Sequence, residues 1–247
     1  MRYTEENKLI KLSNIPIDYS WSFSDKTIKD TSYITHGFYT YPAKFIPQLA
    51  SRLIKELSEQ NDIIIDPFMG SGTTIIESIL NQRIGIGNDI NNIAYLISKV
   101  KTTPLDLIEL NKEFIRIQYD LSSRFNGLFD LSLIVAESSI PSNDRIDYWF
   151  LPEQKQKLSI IYSRICEIEN EDIKNFFLVT FAQILKSCSI WLQKSVKPTR
   201  DFQKKMVEPL PQFIRHSKKM IKRMIEFDSL LNSIIKNNGS SPNRVGK

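Results

Sequence analysis

Asp66-Pro67-Phe68-Met69-Gly70-Ser71-Gly72-Thr73-Thr74 concentrates the residues best suited to chemistry in this chain. The apolar run Ile63-Ile64-Ile65 stops at Asp66-Pro67, two glycines then flank a serine, and a helical pattern follows two threonines. The order reads as a buried strand, a tight turn and a helix N-terminus. Gly70 and Gly72 permit backbone angles and a close ligand approach that a Cβ would forbid. Ser71, Thr73 and Thr74 are expected to cap the helix. The free backbone N–H groups and the helix dipole there favour a carboxylate or phosphate. Asp66 is placed to accept from a ligand ammonium group. Asp89 ends the next apolar segment, 23 residues on, where an acid suits both hydroxyls of a ribose. The ligand these groups describe has a ribose, an anionic end and an ammonium.

Three cofactors compete for such a turn. A nucleoside triphosphate loop needs Gly-Lys-Ser/Thr, and Thr73 follows Gly72 here. A dinucleotide turn needs a third glycine where Ile75 stands. S-adenosylmethionine fits, with its amino-acid end at the glycine turn and its ribose at Asp89. A chance glycine turn in an α/β domain is the bland alternative.

The elements that must hold these residues follow from the pattern. A helix begins after Tyr41-Pro42-Ala43-Lys44-Phe45-Ile46-Pro47, with Leu49, Leu53, Ile54 and Leu57 at helical spacing. Ile63 to Phe68 reads as a central parallel strand covered on both faces. Thr73 to Leu80 is helix, Ile84 to Ile90 a second strand, and Asn92 to Val100 another helix, so a right-handed parallel crossover is expected. Beyond Thr102-Thr103-Pro104-Leu105 the chain turns helical. Helices are expected over 107–125, with Leu110, Phe114 and Ile117 on one face, and over 153–167, 172–192 and 213–235. Residues 126–152, which include Tyr148-Trp149-Phe150, and 194–211 read as loops, and no strong strand candidate follows residue 140. The fold class is therefore α/β: a partial Rossmann-like sheet followed by a mostly helical region. Residues 1–30 form an N-terminal arm, 31–105 the ligand-binding half, 106–235 the helical region, and 236–247 a polar, flexible tail.

The nine residues from Asp66 to Thr74 resemble motif I of the DNA amino-methyltransferases, which modify cytosine N4 or adenine N6. Tyr41-Pro42-Ala43-Lys44-Phe45-Ile46-Pro47 resembles their motif X, and Asp89-Ile90-Asn91-Asn92-Ile93-Ala94 their motif II. Lys99-Val100-Lys101-Thr102-Thr103-Pro104-Leu105 is similar to a stretch found in one subgroup. The resemblance is strong over roughly residues 20–105 and weaker through Tyr148-Trp149-Phe150 and the helices beyond. It implies a methyltransferase with S-adenosylmethionine as cofactor. Phe68 would then lie against the adenosine or sulfonium, and Thr40 and Phe45 along the methionine side. Asp66, Gly70 and Gly72 would meet the amino-acid end, and Pro67, Ser71, Thr73 and Thr74 complete the loop. Asp89 would take the ribose, with Asn88 and Ile90 beside the adenine. Core packing is the competing reading of Phe45 and Phe68, and a solvated or helix-neighbour charge that of Glu77.

The family's catalytic motif is Ser, Asp or Asn followed by Pro-Pro and an aromatic residue, ending the strand beside the motif I strand. No Pro-Pro occurs in the sequence. The expectation is therefore no catalytic residue in this chain. A second methyltransferase subunit would carry that motif, and double-stranded DNA would be the substrate of a heterodimer. Such enzymes usually serve restriction-modification. A non-catalytic degenerate scaffold or a truncated remnant is the alternative, and an RNA target a less favoured variant. Lys218, Lys219, Lys222 and Arg223, with Arg215, cluster on one expected helix and read either as a phosphate-binding surface or as a solvated face. A net charge of +5 is compatible with both. No apolar run approaches the ~18 residues of a membrane span, and the N-terminus lacks a secretory signal, so a cytoplasmic protein is expected. Cys166 and Cys188 read as reduced core residues, and two histidines and two cysteines without ligand spacing argue against a metal.

Overall fold

Two short parallel strands set the frame for everything around the glycine turn. The structure is a computed structural model that describes residues 16–125, 143–192 and 197–238. Strand β1 (Ile63–Asp66) pairs with β2 (Ile84–Gly87), with Ile63 opposite Ile84 and Asp66 opposite Gly87. The crossover between them is α2 (Thr73–Leu80), and α1 (Pro47–Leu57) precedes β1 while α3 (Asn92–Thr102) follows β2. The expected β-α-β-α order is thus present. Helix α2 lies on the sheet where β2 offers only glycines: a Cβ at Gly85 would stand 3.0 Å from the Ile75 side chain.

The sheet departs from expectation in one respect. It is not covered on both faces. Ile63 and Ile65 are 60% and 68% exposed, and Ile84 and Ile86 on the neighbouring strand are each 49% exposed. Ile63 and Ile65, on the strand read from sequence as covered on both faces, in fact share a bare apolar face with Ile84 and Ile86. Among the described residues the sheet has two strands, and the second edge of β1 is unpaired. The strands end at Asp66 and Gly87, short of the expected Phe68 and Ile90, because the turn geometry begins there. Helix α1 also turns differently. Pro47, Ala50 and Ile54 are buried, while Leu53 and Leu57 are exposed.

The helical region comprises α4 (Leu107–Phe125), α5 (Asp144–Trp149), α6 (Pro152–Cys166), α7 (Glu171–Cys188) and α8 (Pro209–Asn238). Leu110, Phe114 and Ile117 share the buried face of α4 as their spacing predicts, joined by Leu121. Helix α5 falls in a stretch expected to be loop. Asn143 caps it by accepting from the Arg145 N–H. Residues 126–142 of the expected loop lie outside the described residues, as do half of the arm and most of the tail. Trp149 stacks on Trp191 with centroids 5.0 Å apart, so Tyr148-Trp149-Phe150 anchors the segment after α7. Cys188 is buried as expected. Cys166 is exposed, because it closes the last turn of α6.

One hydrophobic core runs across the expected boundary at residue 105. Ile76 and Ile97 from the sheet side join Phe114, Phe176, Phe177 and Phe213 from the helices. Helix α3 packs on α7, and α8 packs on the 3-10 turn Ile34–Gly37. The glycine turn is therefore braced from behind by the helical region.

Candidate functional site

The glycine turn is held by its own backbone. The Asn88 N–H donates to the Asp66 carbonyl (2.9 Å), and the Met69 N–H donates to the Asn88 carbonyl (3.0 Å). The Gly72 N–H then returns to the Met69 carbonyl at 2.8 Å. Gly70 and Gly72 both have positive φ, +50° and +76°. Gly72 has a second constraint: a Cβ there would lie 2.2 Å from Ser98 Oγ on α3. Both reasons exclude a side chain.

The helix start differs from the expected cap. Gly72 itself occupies the cap position in the left-handed conformation, and no side chain caps α2. Ser71 and Thr73 are buried instead, and Ser71 Oγ has no hydrogen-bond partner. The first N–H groups of α2 thus keep their donors open toward a ligand.

Asp89 ties the motifs together. Its Oδ2 accepts from the Gly70 N–H (2.9 Å) and its Oδ1 from the Asn91 N–H (2.8 Å). Each oxygen retains a lone pair for a further donor. Asp66 Oδ1 accepts from the Phe68 N–H at 3.1 Å. The Tyr41 ring reaches the turn, 3.3 Å from the position a Gly70 Cβ would take. Thr40 is tied to α7: its N–H donates to Gln183 Oε1 (2.7 Å), and Gln183 Nε2 donates to its hydroxyl.

Phe68 is 87% exposed, Phe45 67% and Ile90 fully so. Core packing is therefore excluded for Phe45 and Phe68. Pro67 is exposed beside Phe68, and Thr74 is half-buried. Phe68 in the turn and Ile90 next to Asp89 are large apolar side chains beside polar groups, a surface that a flat, partly apolar ligand would cover.

Beneath the turn lies a layer that sequence reasoning missed. Glu77 is buried, not solvated. His36 Nε2 meets its Oε1 at 2.8 Å, and the Tyr33 hydroxyl donates to the same oxygen. Burial holds the His36 imidazole below its ordinary value despite Glu77, and burial, with Glu77 beside it, raises the Tyr33 phenol. Both therefore meet Glu77 as neutral donors. Lys101 is fully buried, and its Nζ donates to the Ser71 carbonyl at 2.9 Å. One signal for Glu77 was available: it is the one charged residue in an otherwise apolar or hydroxyl-bearing helix, Thr73 to Leu80.

The basic face of α8 divides. Lys218, Lys219 and Lys222 are exposed with Arg215, a stripe opposite the buried Phe213, Met220 and Met224. Arg223 does not belong to it. Its guanidinium packs over Gly37, where a Cβ would overlap it at 1.0 Å, and Nη1 is buried without a partner. Burial lowers its proton affinity. Among the described residues no cluster of side chains suits a metal ion, and no helix is long and apolar enough to cross a membrane.

Residues 2–100, which contain the turn, Asp89 and the Tyr41 segment, match the family model of the N6/N4 DNA methylases. Through these residues the chain is similar to the DNA methylases. The matched segment ends within α3, just past the sheet. A longer stretch is 32% identical over 168 residues to the type II methyltransferase M.MvaI of Kocuria varians, covering 65% of this chain and 36% of that protein. The type II methyltransferase M.MjaII of Methanocaldococcus jannaschii is 32% identical over 143 residues, covering 58% of this chain and 27% of its own. The orphan methyltransferase M.BamHII of Bacillus amyloliquefaciens is 45% identical over 53 residues, which is 22% of this chain and 20% of its own. The matched part of this chain thus spans 36% or less of the length of these curated relatives. No solved structure matches it.

Proposed function

We propose that this chain binds S-adenosylmethionine as one part of a DNA methyltransferase acting on an exocyclic amino group, cytosine N4 or adenine N6. The observation that carries this reading is the turn itself: Gly70 and Gly72 at positive φ, with Asp66 and Asp89 beside them and Phe68 uncovered, at the carboxyl end of parallel strands. The residues fit the cofactor. Ser71 Oγ is a buried polar atom without a partner, and Gly70 and Gly72 at positive φ keep the turn free of side chains. Asp66 would take the ammonium and Asp89 the ribose hydroxyls. Phe68, Phe45 and Ile90 would cover its apolar faces, with Thr40 at the methionine side. When bound, the cofactor supplies an electrophilic methyl group. This chain's own task is to bind and orient it. Calorimetric titration of the chain with S-adenosylmethionine tests the reading, and absence of binding at millimolar ligand overturns it.

The catalytic Pro-Pro-aromatic motif and the strands that complete the sheet are supplied by a second polypeptide in this reading. The bare face of Ile63, Ile65, Ile84 and Ile86 and the unpaired edge of β1 support it, since exposed apolar strands invite pairing. DNA is the shared substrate, met on this side by the lysine stripe of α8. Two relatives are named type II methyltransferases, which favours a restriction-modification setting. Methyl transfer from labelled cofactor to DNA should be absent with this chain alone and restored by the product of the adjacent reading frame. Full activity of the lone chain overturns the split arrangement.

A further inference from the structure

Lys101 is the least economical residue in the molecule. Its side chain is completely buried in α3, and among the described residues it has no carboxylate partner. An isolated buried ammonium is costly unless something compensates it. Its recorded contact is with the Ser71 carbonyl, in the turn that faces the ligand. The neighbouring charges make its position worse. Lys44 repels it from the segment after the 3-10 turn, and His36 of that turn lies near it as well. Lys44 donates to the His36 carbonyl at 3.2 Å, and Arg223 of α8 acts on Lys44 in turn. Glu77 of α2 is the nearby acid, and its recorded partners are His36 and Tyr33. Asp172 of α7 pairs with Lys99 instead. The acids of the turn are held elsewhere, Asp89 by the Gly70 and Asn91 N–H groups and Asp66 by the Phe68 N–H, so Lys101 lies beneath the turn with Lys44 as the charge acting on it and no carboxylate of the described residues against it.

We propose that Lys101 is a positioning residue for the anionic end of the cofactor, bracing Ser71 from beneath and gaining a proton from solvent when a carboxylate settles at the turn. The proposal rests on the S-adenosylmethionine reading and deepens it. Lys101 acts through the Ser71 carbonyl and through its charge, and does not itself have to touch the ligand. Burial brings its proton affinity down to about 7, so the free protein holds the proton only partly at neutral pH. An anion at the turn restores the proton, and affinity then depends on pH.

The test is calorimetry of the full chain with S-adenosylhomocysteine, which has the same carboxylate. Titrations at about pH 7.5 in two buffers of different ionisation heat report proton uptake. His36 also sits below its ordinary value, and Lys101→Met, which leaves it in place, separates any contribution it makes. A sizeable fraction of a proton should be taken up, and affinity should fall roughly tenfold between about pH 6.5 and about pH 8.5. Lys101→Met keeps the buried stem and should remove both the uptake and the pH slope. Lys101→Arg, always charged, should bind without the slope. Methylthioadenosine, which lacks the carboxylate, should bind without proton uptake. Equal heats in both buffers and a flat pH profile for the wild type would overturn the role of Lys101. If neither compound binds, the cofactor reading itself fails.

Discussion

At the scale of single residues the site is built from two kinds of exposure. Phe68 lies open beside a turn whose polar atoms are closely held. An exposed phenylalanine contributes little to folding, so Phe68→Ala should change stability by less than about 0.5 kcal/mol. The same substitution should weaken S-adenosylmethionine binding by roughly tenfold or more, since an aromatic face covering a bound ring is worth on the order of 1–3 kcal/mol. Thermal unfolding and calorimetry on the same preparation separate the two effects. A large loss of stability with intact binding would return Phe68 to the core. Much of this was legible in sequence, because glycine, aspartate and an apolar run have narrow conformational meanings. Glu77 was not. Helix periodicity says which face a residue occupies, but the partners of an inward acid come from His36 and Tyr33, about 40 residues away in sequence. The cap was misjudged for a related reason. Ser71 has the right chemistry for capping, but Gly72 in the left-handed conformation turns it inward.

At the scale of elements, the 3-10 turn Ile34–Gly37 and α3 carry buried titratable groups that act in the same direction with pH. His36 and Lys101 both sit below their ordinary values in the folded chain. The unfolded chain therefore binds more protons than the folded one, and stability should rise with pH. For His36 the contribution is present above its unfolded value of 6.5 and is lost as pH falls below it. For Lys101 the desolvation penalty is full below about 7 and is relieved as pH rises toward 10.5. Tyr33 works the other way, since its raised value keeps the phenol protonated in the fold and costs stability above pH 10. The melting temperature of the ligand-free chain should climb from about pH 6 to about pH 9. Lys101→Met should be more stable than wild type at neutral pH, by on the order of a few kcal/mol, and should lose the climb above pH 7. A wild-type profile that falls over that range would contradict the assignment. The elements themselves were mostly read correctly, with Thr73–Leu80 and Leu107–Phe125 matching their expected limits. What sequence could not say is which strand face waits for a partner. Ile63-Ile64-Ile65 has no alternation to distinguish a covered side from an open one.

At the scale of the whole molecule, two exposed surfaces are the proposed meeting places with DNA and a second subunit, and they differ in chemistry. The stripe of Arg215, Lys218, Lys219 and Lys222 lies along an outer face of α8. If it meets phosphates, reversing Lys218, Lys219 and Lys222 to glutamate should weaken duplex affinity and lower the slope of log affinity against log salt by about one per lost contact. Arg223 is a poor member of such a set, because removing it would disturb Gly37 and the fold as well.

The sheet face calls for the opposite kind of change. Ile65 is 68% exposed and lies beside Ile86 on a flat, apolar surface. Placing a lysine there costs the isolated chain little, because almost no packing is lost, and it breaks the patch that would promote self-association. Ile65→Lys should leave the melting temperature within a few degrees of wild type and make the purified chain more monodisperse. In the presence of the subunit that completes the sheet, the same lysine would be buried without a partner, at a cost of several kcal/mol. Association should therefore fall by two or more orders of magnitude while cofactor binding by the lone chain survives. Sedimentation of the mixed subunits, with calorimetry on the variant alone, reads both outcomes. Unchanged association would mean that the partner sits elsewhere, and that this face is covered in some other way.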